Sequence, residues 1–330
     1  MVANFGLGYE DVISVVSHYV DGALERYSAK AFAEARDRVE ELTVNYLRKL
    51  RDDAPETLQN AQDPAVQSSL LDAQSAYAKS GDPRLGEVLV NLLARRTEST
   101  ERGVRQLAIS AAIASVDRMS AAHLKLCTAH FFATTVVIAG PTVPDELYLA
   151  LKATISPFMQ NLGASTSDIG YLLDVGVVKA DVVLEATPVS QFMKRYPGLF
   201  CKGVKEERIP NLDWHIKAGI AGPSPRTPGL IQLNSSNADD LSVRLKGTER
   251  ESDTGQLASL LLENAMSEEE AFAEMADKVP GFKEFSSLWD RANGLRGFTL
   301  TVTGLAVAHA NAEAVLGRQL FFQGLETWVS

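Results

Sequence analysis

The chain has 330 residues, a formal net charge of -10 and a hydrophobic share of 45%, enough apolar material for a sizeable core, which excludes wholesale disorder. The length allows one large domain or two of ordinary size. The acidic balance points away from a nucleic-acid protein. A phosphate backbone needs a Lys/Arg face, and the basic residues here alternate with acids, as in Arg36-Asp37-Arg38.

Residues 9 to 53 read as two helices or one long bent one. Val12, Val15, Val16, Tyr19, Val20 and Ala23 fall at helical spacing, and Phe32, Ala35, Val39, Leu42, Tyr46, Leu47 and Leu50 make a second stripe that Pro55 ends. Asp63-Pro64 is an N-cap followed by proline at N1, and Ser80-Gly81-Asp82-Pro83 is a C-cap glycine followed by a second such start. Residues 64 to 96 therefore predict a helical hairpin with a tight turn, the best-specified structure in the sequence.

Further helices are expected over 102–118, from a Ser120 cap to about Ala139, and from Val143-Pro144 to about Leu162, with Pro157 kinking or shortening the last. The run Leu126 to Gly140 is the most apolar, but at about 15 residues it is short of the ~20 that span a bilayer, so it reads as a buried helix. Asp168 to Val177 and Thr187-Pro188 to Tyr196 follow as shorter helices. Proline and glycine then dominate from 197 to 229, and an irregular segment is expected, with a short strand at Leu230 to Leu233. Helices resume over 253–264, over 267–278 with Ser267 and Glu270 as a capping box, over 280–293, and over 298–316. The predicted fold is all-α: an array of antiparallel helical hairpins with one long Pro/Gly-rich irregular segment. The expected organisation is a helical domain over 1–196, an insertion or linker over 197–250, and a C-terminal helical segment over 251–330 that packs on the first.

Several constellations bear on chemistry. His123, Cys127 and His130 lie at i, i+4 and i+7, on one helix face, and imidazole and thiolate on adjacent turns suit zinc, with Asp117 as an orienting partner. The competing reading is a buried helix in which Cys is a core residue and each His finds a backbone partner. Asp213 and His215 suggest acid–base work, and Cys201 with His215 a thiol mechanism, only if the fold unites them. The acidic run Glu268 to Glu270 is better explained by its place at a helix start. Phosphate-binding loops and a nucleophile elbow are missing, and no cofactor is expected.

Two features suggest partners. Pro223, Pro225 and Pro228 offer a polyproline ligand or a stiff loop. Gly304, Ala308 and Ala312, at four-residue intervals, let another backbone approach, by internal packing or across a dimer seam. The aromatics Phe321, Phe322 and Trp328 either tuck back onto the body or dock on a neighbouring subunit. Two cysteines make no disulfide framework, so a reducing compartment is expected, and no secretory leader or lipidation motif is seen.

The segments Asp72-Ala73-Gln74-Ser75-Ala76-Tyr77-Ala78-Lys79-Ser80-Gly81-Asp82 and Leu89-Val90-Asn91-Leu92-Leu93-Ala94-Arg95-Arg96-Thr97 resemble a family of uncharacterised bacterial proteins known mainly from genome sequences. Ile155-Ser156-Pro157-Phe158, Tyr171 to Gly176 and Leu300 to Ala308 are similar to later segments of that family in the same order. The resemblance implies a bacterial, cytoplasmic, helical protein. It brings no activity, cofactor or catalytic residue, and residues 197 to 250 lie outside it. The expected function is that of a non-enzymatic helical scaffold, interaction or sensor protein that self-associates and binds another protein. A stress or phage-defence setting is conceivable, with no residue arguing for it. The alternative is a metal-dependent hydrolase using His123, Cys127 and His130. A third option is a small-molecule binder with a pocket between helices.

Overall fold

The structure is a computed structural model and describes residues 29–180, 186–290, 294–320 and 324–329. The stripe from Val12 to Ala23 and the pair Phe321-Phe322 lie outside the described residues. The fold is all-α: helices pack on one another, and the described strands are three residues long. The chain divides into two compact units, and each draws on separated stretches. Unit 1 comprises Met1–Thr128, Tyr171–Lys179 and Leu300–Ser330; unit 2 comprises Ala129–Gly170 and Ala180–Thr299. The composition change near residue 197 falls inside unit 2.

Unit 1 is a helical bundle. Its first four described helices are α1 (Ala29–Asp53), α2 (Pro64–Ser80), α3 (Pro83–Thr97) and α4 (Val104–Val116). The next, α5 (Ala121–Thr134), begins in unit 1 and ends in unit 2. The apolar stripes seen in the sequence form the core: Ala35, Val39, Leu42, Tyr46 and Leu50 of α1 and Leu85, Val88, Leu89, Leu92 and Leu93 of α3 are all buried. The predicted hairpin is present. Asp63 accepts from the Ala65 and Val66 amides, Gly81 closes α2 in the left-handed region at φ 58°, and Asp82 accepts from the Arg84 amide to start α3. A side chain at 81 would be strained at that φ.

The last long helix of unit 1 packs along α3 and α4. This is helix α15 (Val302–Leu320), numbered after the helices of unit 2. Its start is tied down at residues 176–177: the Thr301 amide donates to the Val177 carbonyl (3.0 Å), and the Thr301 hydroxyl to the Gly176 carbonyl (2.9 Å). At Gly304 the helix backbone lies so close that any Cβ would collide with the Val177 carbonyl oxygen. Ala308 and Ala312 are fully buried one and two turns on. Between them Asn311 donates to Thr128 Oγ1 (2.8 Å) and to the Leu124 carbonyl (3.3 Å). The small-residue stripe thus serves packing within unit 1.

Unit 2 holds α6 (Pro144–Thr154), α7 (Ser156–Met159), α9 (Pro188–Arg195), α10 (Leu212–Lys217), α11 (Ala238–Leu245), α12 (Thr254–Leu260), α13 (Glu268–Lys278) and α14 (Phe282–Trp289). Helix α8 (Thr166–Val175) and strands β1 (Val178–Ala180) and β4 (Phe298–Leu300) lie where the chain passes between units. Strands β2 (Ala221–Pro223) and β3 (Ile231–Leu233) pair antiparallel, Ala221 opposite Leu233 and Pro223 opposite Ile231. The Pro/Gly-rich stretch is therefore a short hairpin rather than an open linker, and it belongs to a packed cluster. Cys201, Val204, Ile209, Ile220, Leu233, Leu241 and Leu245 are buried together with Leu257, Leu260 and Leu261.

Helix α5 stops at Thr134, short of the expected Ala139. The Arg195 guanidinium explains the stop: it donates to the carbonyls of Phe132, Ala133 and Val136 and lies 4.8 Å over the Phe192 ring. Orphan carbonyls of a helix end are satisfied there by a half-buried cation, where β-branched residues begin.

Candidate functional site

An open cleft of about 400 Å³ runs between α1, α2, α3 and α15 of unit 1. Its polar lining is Glu41 and Asn45 from α1, Tyr77 from α2, Glu87 and Asn91 from α3, and Glu313 from α15. The helices bring these groups together through their buried neighbours. Leu42 and Tyr46 fix α1 in the core, which leaves Glu41 and Asn45 at the rim of the apolar stripe. Gly86 lets the Tyr77 ring lie against α3, since a Cβ there would sit 2.8 Å from the ring. The Tyr77 hydroxyl then donates to Glu41 Oε2 at 3.0 Å.

The innermost carboxylate is Glu313, 4% exposed. It pairs with Lys49 at 3.0 Å and with Arg95 at 3.4 Å. Lys49 also meets Asp53 at 3.0 Å, and Arg95 meets Glu98 at 2.6 Å. Burial alone would raise the Glu313 pKa, but the charges of Lys49 and Arg95 outweigh it and hold the carboxyl below its ordinary range. Tyr77 is pushed up to about 12, by burial first and then by the hydrogen bond and charge of Glu41, so it stays a neutral donor. Asn91 is 6% exposed and donates through Nδ2 to the Ala310 carbonyl at 3.0 Å, which leaves its Oδ1 as an acceptor on the wall.

The chain belongs to an uncharacterised protein family. The family's sequence model matches residues 6–329, nearly the whole chain, so both units fall within the family's span. No curated protein and no solved structure matches it.

The candidates drawn from the sequence each have a local role in the structure. His123 caps α5: its Nδ1 accepts from the Ser120 amide at 3.1 Å, its own amide donates to Ser120 Oγ at 3.3 Å, and its ring stacks on Tyr171. Cys127 is fully buried, and desolvation pushes its thiol up to about 12. His130, in unit 2, donates through Nε2 to the Phe298 carbonyl at 3.0 Å and stacks on Trp289. Burial lowers its pKa to about 4, with the Phe298 carbonyl opposing only in part. Asp117 pairs with Lys79, not with a histidine. Among the described residues no group of three or more His, Cys, Asp or Glu is placed to hold a metal ion. In place of a shared ion, the three residues have a cap, a core position and a backbone hydrogen bond.

In unit 2, His215 is fully buried, with Nε2 3.1 Å from Asp253 Oδ2; its partner is Asp253, and the sequence had suggested Asp213. Cys201 donates to the Glu263 carbonyl and accepts from the Gly203 amide, and burial raises its thiol pKa. Pro223, Pro225 and Pro228 are exposed around the β2–β3 turn. Arg226 within that turn makes a bidentate pair with Glu274 at 2.9 and 3.1 Å and donates to the Cys201 carbonyl, which pins the turn to α13. Ser267 and Glu270 form the expected capping box at the start of α13. Trp328 lies 5.6 Å from the His309 ring, against its own unit.

Sequence reasoning missed the cleft. A signal was present in two places: Asn91 interrupts the apolar run Leu89 to Leu93, and Glu313 interrupts an alanine-rich helix. A polar residue inside a buried stripe needs a partner, and both have one here.

Proposed function

We propose that the protein is a non-enzymatic helical sensor or interaction protein whose receiving site is the unit 1 cleft. One observation carries this reading: a cleft of about 400 Å³ is walled by four helices and lined by polar groups that internal bonds already hold in place. Preorganised groups bind without an ordering cost. The protonation states also favour binding over proton transfer. Tyr77 titrates at about 12, and Glu313 below the ordinary carboxylate range, so neither exchanges a proton readily near neutrality.

The test is methyl NMR on Leu42 and Val90 during a screen of small polar compounds. Compounds that move these signals in the native chain and not in Ala314→Trp, which fills the cleft, support the reading. If no compound moves them, the cleft is not a receiving site.

Self-association is part of the proposal, and its surface is α4. Val104 and Leu107 are 56% and 49% exposed, and Ala111 and Ala114 continue the same exposed line. A second copy laying its own α4 antiparallel on this line buries matching large and small residues, as a two-fold contact requires. Light scattering on the native chain should show a dimer and on Leu107→Glu a monomer; a native monomer at tens of micromolar removes this part. A reducing, cytoplasmic setting fits two buried, unpaired thiols. Among the described residues no helix is long and apolar enough to cross a membrane.

A further inference from the structure

We infer that the unit 1 cleft takes a linear aliphatic polyamine; this rests on the reading of the cleft as a receiving site and names its ligand class. The lining contains three carboxylates, Glu41, Glu87 and Glu313, and no Lys, Arg or His. Glu41, Glu87 and Asn91 offer acceptors, while Asn45, whose Oδ1 accepts from Arg48, offers N–H donors at one end. The Tyr77 hydroxyl already donates its hydrogen bond to Glu41, and Asn91 has committed Nδ2 to Ala310, so Asn91 presents Oδ1. A ligand that fits must bring donors and positive charge, and an ammonium group brings three donors and one charge.

The shape of the cleft selects among cations. Pro83, Glu87 and Asn91 stand at four-residue steps along α3, so the wall follows that helix for about 12 Å at 1.5 Å per residue. The carboxylates come from three helices, Glu41 from α1, Glu87 from α3 and Glu313 from α15, and among the described residues they are not gathered into a metal-holding group. Leu42, Val90 and Ala314 supply aliphatic surface between them. Methylene segments suit that surface, and ammonium groups suit the carboxylates at intervals. A compact cation matches only one end of such a groove.

Position also decides which carboxylate matters. Glu313 is balanced by Lys49 and Arg95. Glu87 is exposed and forms no ion pair within the described residues, so its charge is available to a ligand. Substituting it leaves no internal partner behind, and the fold should tolerate the change.

Calorimetric titration of the full chain at low salt with spermidine, putrescine and neutral 1,8-octanediol tests this. The expected result is one saturable site, tighter for spermidine than for putrescine and silent for the diol. Glu87→Gln should weaken spermidine about two- to fivefold, the size of one lost, exposed ion pair. Glu284→Gln, an exposed carboxylate of unit 2, should bind as the native chain does. Equal loss in both variants, or no loss in Glu87→Gln, means general counter-ion attraction and overturns the inference. If spermidine is silent while other compounds still move the Leu42 and Val90 signals, the ligand class is wrong and the receiving site stands. If both experiments are silent, both readings fall.

Discussion

Replacing Glu313 by Leu removes the one carboxylate that Lys49 and Arg95 share. The side chain is 3% exposed and each cation 18% exposed, so the three charges sit largely out of water. Breaking a buried pair by removing one partner typically costs about 3–5 kcal/mol, because an unpaired charge stays buried. Here Lys49 keeps Asp53 and Arg95 keeps Glu98, so neither cation is orphaned. The expected cost is therefore lower, about 2–3 kcal/mol, which for a unit of this size lowers the melting temperature by roughly 5–10 °C. Adding Lys49→Met should recover little of the loss, since Lys49 still pairs with Asp53 in the Leu variant.

The sign with pH follows from the folded-state pKa of Glu313, which lies below the ordinary 4.5. A depressed carboxyl contributes stability above 4.5 that is lost as pH falls through the lower folded value. The Leu variant should therefore lose less stability on acidification than the native chain. Thermal and urea unfolding monitored by circular dichroism measure both effects. A native-like melting temperature in Glu313→Leu, with a cost under about 0.5 kcal/mol, would mean the carboxylate is solvated and the ionic floor of the cleft is not as described.

Other predictions concern residues given new roles. His130 is buried neutral, with its pKa lowered from 6.5 to about 4, so its contribution is present above 6.5 and lost as pH falls from 6.5 toward 4. That amounts to about 3 kcal/mol, and His130→Gln, which keeps a donor for Phe298, should flatten unfolding curves over this range. Gly304→Ala should cost about 1–3 kcal/mol by driving a Cβ into the Val177 carbonyl, seen as a fall in melting temperature; a neutral outcome would contradict the close approach. Cys127 should resist thiol reagents in the native chain and react at once in denaturant, because burial holds its thiol near a pKa of 12; rapid native modification would show that the helix is not packed as described.

The legibility of the fold followed the length of its elements. The α2–α3 hairpin was readable because each helix spans four or more turns and carries its own caps at Asp63, Gly81 and Asp82. Between 197 and 261 only the strand at Leu230 to Leu233 and the helix from 253 were readable, as β3 and α12; α10, α11 and β2 were not, because they span only six, eight and three residues. Periodicity has no room to appear in such pieces, and their shared core gathers residues as distant as Cys201 and Leu261. The end of α5 was misplaced for a related reason: Arg195, about sixty positions away, supplies the cap. The His123, Cys127 and His130 spacing was a true helix face, but one face of a helix is not one site when both histidines already have partners and the cysteine is packed in the core. The cleft draws on α1, α2, α3 and α15, so no local window contained it. Only the isolated polar residues Asn91 and Glu313 marked it in the sequence.

Hydrogen exchange of the whole chain with and without spermidine probes the cleft most directly, because it reports where a ligand acts. Added protection confined to α1 around Glu41, α3 from Pro83 to Asn91 and α15 around Glu313, with residues 201 to 261 unchanged, is the expected pattern. Protection spread evenly over both units, or found only in unit 2, would contradict a ligand seated between these helices.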